Sequence, residues 1–180
     1  SAKKIAEVIS KRLDCKCINI DTPFEAEDLH EIDNLVLVFN FRGPYTAQLT
    51  KLYLNRVKEQ LKSTNVILVG EGLFSEKEFP VVADEIYKTT PSKTFNKFFV
   101  NGQLRMETLF PEERVLLAKF SELTGMEIKD MGELDLDKAA SVADEINVLI
   151  NSEELKNAKN LEGVQEVKNE TKWVCEICGY

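Results

Sequence analysis

Asn34-Leu35-Val36-Leu37-Val38-Phe39-Asn40 is an unbroken apolar run closed by asparagine at each end. A strand with one wet face alternates apolar and polar residues. A run of this length without alternation suits a parallel strand covered on both faces. Asn65-Val66-Ile67-Leu68-Val69-Gly70 repeats the pattern. Between the two, Leu49, Leu52, Tyr53, Val57 and Leu61 form the inner stripe of a helix expected from about Ala47 to Leu61. Strand, helix, strand in that order implies a right-handed crossover. The fold class is therefore α/β, an open parallel sheet with helices on both faces.

The flanking chain extends this alternation. Ile5, Val8, Ile9 and Leu13 follow helical spacing, and Cys15 to Ile20 reads as a short strand ended by Asp21-Thr22-Pro23. Phe24 to Ile32 is an acidic loop. Val81 to Tyr87 reads as a short helix stopped before Pro91, and Lys97 to Leu104 as a third strand kinked at Gly102. Pro111 to Leu123 carries proline at its first turn, Glu112 and Glu113 near its positive end and Gly125 after its close, so it reads as a helix. Glu127 to Met131 is a candidate edge segment. Asp135 caps a helix expected to run to about Ile150. Residues 151–171, rich in Lys, Glu and Asn, read as a linker, helical at first.

Composition narrows the function classes. A hydrophobic content of 43% supports a packed core, and a net charge of −8 disfavours a nucleic-acid surface while favouring basic or neutral partners. No apolar run approaches membrane-spanning length. The four cysteines, Cys15, Cys17, Cys175 and Cys178, do not form a secreted disulfide framework, so a reducing cytoplasm is expected. His30 is the only histidine, which excludes a triad or metal site built on several histidines of this chain, and a surface position is expected for it. Cys15 and Cys17 are expected as buried, inert thiols on one strand face.

Lys172-Trp173-Val174-Cys175-Glu176-Ile177-Cys178-Gly179-Tyr180 carries the clearest chemistry. Two thiolates separated by two residues can bind one face of a metal ion. The glycine after the second cysteine lets the backbone turn so that amides point at sulfur. A tetrahedral site needs two further ligands.

Residues 1 to about 150 resemble a flavodoxin-like domain. Ser1-Ala2-Lys3-Lys4-Ile5-Ala6-Glu7-Val8-Ile9 is similar to that family's first helix, and Phe98 to Gly125 resembles the family's protoporphyrinogen-oxidase-like branch. Residues 172–180 resemble the first knuckle of rubredoxin. In the flavodoxin family a strand and a phosphate-binding loop precede the first helix, and Ser1 stands at the end of that loop. The resemblance thus implies a domain without its first strand and phosphate loop, and a rubredoxin-like domain of which only the start is present. Such a fragment, truncated at both ends, is expected to hold neither FMN nor iron tightly by itself.

Ligands of open α/β sheets bind outside the carboxyl ends of the strands. The resemblance implies FMN there, between the loop Asn40-Phe41-Arg42-Gly43-Pro44-Tyr45 and the segment Glu71-Gly72-Leu73-Phe74. The expected cofactor residues are Ser1, Asn40, Phe41, Arg42, Gly43, Tyr45, Glu71, Gly72 and Phe74. Tyr45 is the stacking candidate, Phe41 is equally a core residue, and Arg42 is equally a solvated charge. Cys175 and Cys178 are the expected metal ligands, for rubredoxin-type iron with zinc as the alternative. The leading functional expectation is an electron-transfer flavoprotein, with an iron module passing electrons to or from flavin and then to a redox protein partner. Three alternatives stay open. These are a protoporphyrinogen-oxidase-like flavoenzyme, part of a flavorubredoxin-like oxygen or nitric-oxide reductase, and a non-redox α/β scaffold with a structural zinc knuckle.

Overall fold

The computed structural model describes residues 1–19, 32–41, 47–73, 76–160 and 172–175. Strands β2 (Asn34–Asn40) and β3 (Asn65–Gly72) are buried at every position, as their unbroken apolar runs require. They pair in parallel, Asn34 opposite Asn65, and β3 pairs in parallel with β4 (Thr94–Asn101). Alternate residues of β2 point to opposite faces. Leu35, Leu37 and Phe39 pack with helices α2 (Ala47–Arg56) and α3 (Phe79–Tyr87) through Leu54, Phe79, Val82 and Ile86. Val36 and Val38 pack with helices α1 (Ala2–Arg12) and α5 (Leu136–Asn160) through Ile5, Ile9, Val142 and Ile146. The result is three layers, an open parallel α/β sheet between two pairs of helices.

The sheet has five strands in the order β1-β5-β2-β3-β4, where β1 is Lys16–Asn19 and β5 is Lys172–Cys175. The fifth strand in sequence thus occupies a central position. Lys172 lies opposite both Lys16 and Leu35, and Cys175 opposite both Asn19 and Val38, in parallel on each side. That interior position is filled by residues from the far end of the chain.

Several expected boundaries shift. Helix α2 stops at Arg56, and Leu61 reaches the core from a 3-10 turn, Gln60–Ser63. Strand β4 starts three residues earlier than expected and ends at Asn101, before the glycine read as a kink. Helix α5 continues ten residues past Ile150. The helix expected at Pro111 is α4 (Pro111–Thr124), where the Phe110 amide donates to Glu113 Oε2 at 3.0 Å. Residues 127–131 form no strand; a single antiparallel bridge joins Met131 to Leu104. Of the two thiols expected to be buried, Cys17 is exposed and Cys15 only partly buried. The physical reason is that β1 is an edge strand, paired on one side alone. His30 lies outside the described residues.

Candidate functional site at the carboxyl edge of the sheet

Parallel pairing brings the ends of β2, β3 and β4 to one edge, and the amino end of α1 meets them there. Asn40 and Glu71 are register partners at that edge, and both are buried. Ser1 precedes the first turn of α1, yet its side chain does not cap the helix. Instead the Ser1 hydroxyl donates to Glu71 Oε2 at 2.7 Å and lies 3.2 Å from Asn40 Oδ1. One hydroxyl hydrogen serves one strong bond. The nearer carboxylate takes it, and an Asn40 amide turned with its NH2 toward Ser1 would then donate to the hydroxyl oxygen. Three of the residues expected from sequence, Ser1, Asn40 and Glu71, thus converge.

Two glycines make this arrangement possible. A Cβ on Gly102 would fall 1.7 Å from Glu71 Oε1, so the carboxylate occupies the space that Gly102 leaves empty. A Cβ on Gly72 would fall 2.3 Å from the Phe41 carbonyl oxygen, so the backbones of these two segments can approach only with glycine there. Two hydrogen bonds stitch the edge together: the Phe41 amide donates to the Glu71 carbonyl at 2.6 Å, and the Gly102 amide to the Gly72 carbonyl at 2.9 Å.

Phe41 offers no stacking face. Its ring is 1% exposed and packs edge-on against Phe39 and Phe79, with centroids 6.4 Å and 5.3 Å away. It belongs to the core. Arg42, Gly43, Tyr45 and Phe74 lie outside the described residues.

Beside the end of β4 is an open cavity of about 370 Å³, lined by Asn101, Glu133, Leu134, Asp135, Leu136 and Asp137. Asp135 holds its wall in place. Its amide donates to the Asn101 carbonyl at 3.1 Å, and its side chain accepts the Lys138 amide at 2.7 Å, capping α5. The carboxylates of Glu133, Asp135 and Asp137 make this part of the edge acidic. Asn101, Gly102 and Glu133 were not among the residues expected from sequence.

No family model, curated protein or solved structure matches the chain.

Cys175 ends β5, and Cys178 lies outside the described residues. Cys15 and Cys17 are displaced along the sheet from the backbone of Cys175. Its register partner on β1 is Asn19, which puts Cys17 two positions and Cys15 four positions nearer the amino end, about 7 and 13 Å along the strand. Among the described residues, no group of three or more His, Cys, Asp or Glu side chains could hold a metal. Cys15 is inert by environment. Its thiol donates to the Ser10 carbonyl at 3.6 Å, and desolvation raises its pKa far above the usual thiol range, with Cys17 and Asp14 adding to the rise. Desolvation raises the Cys17 thiol as well, while a hydrogen bond with Ser10 opposes the rise.

Proposed function

We propose that the α/β domain binds FMN at the carboxyl edge of its sheet. In this reading it exchanges electrons with a rubredoxin-type iron centre whose first ligands are Cys175 and Cys178. The supporting observation is the convergence of Ser1, Asn40 and Glu71 where β2 and β3 end, beside the amino end of α1. That is the position at which open α/β sheets take ligands. FMN would supply one- or two-electron chemistry and the iron centre one-electron chemistry. The α1 amino end suits the phosphate end of the ligand, and Asn40 suits a polar group of it. The segments leaving β2 and β3, with Arg42, Gly43, Tyr45, Gly72 and Phe74, would flank the ring.

A net charge of −8 favours a redox protein partner with a basic or neutral docking face, and disfavours nucleic acid. Among the described residues no helix is long and apolar enough to cross a membrane. The free thiols Cys15 and Cys17 fit a reducing cytoplasm.

One observation favours the porphyrinogen-oxidising alternative. Helix α4 exposes Leu116, Phe120 and Leu123 along one side, an apolar stripe of the sort that meets a greasy substrate or surface. The absorption spectrum and metal content of the protein in the presence of added FMN, ferrous iron and zinc separate these readings. Bound oxidised flavin with iron–thiolate bands supports electron transfer. Flavin-dependent oxidation of a porphyrinogen without iron supports the enzyme. A colourless protein with stoichiometric zinc leaves only a scaffold.

A further inference from the structure

Glu71 is 4% exposed, and its carboxylate stands at the end of the sheet where α1 presents its positive pole. A negative charge at a helix amino end is stabilising, which is also why phosphates bind there. Glu71 and a ligand phosphate therefore want the same place. The Ser1 hydroxyl, which would otherwise be a phosphate donor, is already given to Glu71 Oε2 at 2.7 Å. The carboxylate is built in rather than adventitious, because Gly102 leaves the volume that Glu71 Oε1 fills. The neighbouring cavity adds Glu133, Asp135 and Asp137, which raise the cost of bringing a dianion to this edge.

We infer that Glu71 is a specificity-determining residue that competes with ligand phosphate for the amino end of α1. The inference rests on the proposed flavin site and deepens it. With Glu71 in place, a flavin gains its affinity from the ring and the ribityl chain, and little from the phosphate. FMN and riboflavin then bind with nearly equal strength. Glu71→Gln keeps the shape and removes the charge, so a phosphate meets no competing carboxylate at the α1 amino end.

The test compares FMN and riboflavin dissociation constants for the full chain and for Glu71→Gln, with circular dichroism as the folding control. Glu71→Met serves if the glutamine variant does not fold. The expected result is a ratio within about threefold for the native chain and a gain of roughly tenfold in FMN preference for the variant, the step that 1.4 kcal/mol represents. A native chain that already prefers FMN by tenfold or more, with no change in the variant, overturns the inference. If neither protein binds either flavin, the flavin reading fails, and inorganic phosphate decides the inference separately. Saturable amide shifts at Ala2, Lys3 and Lys4 in Glu71→Gln but not in the native chain support it. Equal responses in the two proteins, including none in either, overturn it.

Discussion

Gly102 and Glu71 lie 31 positions apart in the chain and share one small volume. A methyl group at residue 102 would overlap Glu71 Oε1, so Gly102→Ala must either displace a buried carboxylate or shift the end of β4. Overpacking of this kind costs about 1–3 kcal/mol. Urea unfolding of Gly102→Ala should show that loss, and the double variant with Glu71→Ala should recover part of it. Unchanged midpoints in the single variant would contradict the contact. The Cys15 thiol yields a pH prediction. Its folded pKa is raised, so its contribution to stability is full below the ordinary thiol pKa of 9.0 and is lost as pH rises above it. Thermal unfolding followed from pH 7 to 10 should show a fall in Tm above about pH 9 that Cys15→Ala lessens. None of this was legible in the sequence. Glu71 and Gly102 were each visible, but their contact depends on strand register, and Cys17 looked buried because its edge position depends on strand order.

At the scale of elements, β2 and β3 were legible because a strand buried on both faces leaves no polar position to blur the pattern. Strand β4 was harder. It is an edge strand, half-buried along most of its length, and Thr94 and Asn96 interrupt its apolar signal at the start. The α2 stripe overran the helix because burial continues into the 3-10 turn at Leu61, and Leu52, expected on its inner side, is 64% exposed. Strand β5 was least legible. Lys172-Trp173-Val174-Cys175 drew its reading from its cysteine, while its place in the sheet comes from the gap between β1 and β2. Val174 pairs with Ile18 on one side and Leu37 on the other. Proline there removes a ladder donor from a central strand, so Val174→Pro should destabilise the domain by roughly 3 kcal/mol or more in chemical unfolding. An unaltered midpoint would show that β5 does not bridge β1 and β2. By contrast Leu123, 87% exposed on α4, is outside the core, and Leu123→Glu should leave unfolding free energy within about 0.5 kcal/mol.

At the scale of the molecule, the three layers place chemistry at one edge and packing everywhere else. Phe39, Phe41 and Phe79 fill the layer under α2 and α3, and valines, isoleucines and alanines fill the layer under α1 and α5. Helices α1 and α5 are joined at the surface by a two-pronged pair, Arg12 Nε and Nη2 to Asp144 at 2.8 Å each. The pair lowers the Asp144 pKa and is more than half exposed, so it aligns the helices more than it stabilises them. Asn40 and Glu71 drew notice because each lies at the end of a buried strand, and Ser1 through the family resemblance alone; their convergence depends on strand register and on where α1 begins. The acidic character of the edge was not anticipated, because Glu133, Asp135 and Asp137 arrive there from the far side of α4.

The most direct measurement is a titration of the chain with FMN, read by flavin fluorescence and by amide shifts. Weak but saturable one-to-one binding is expected, with quenched emission and shifts concentrated at Asn40, Phe41, Glu71 and Gly72. Unquenched flavin with no shifts at these residues would contradict it.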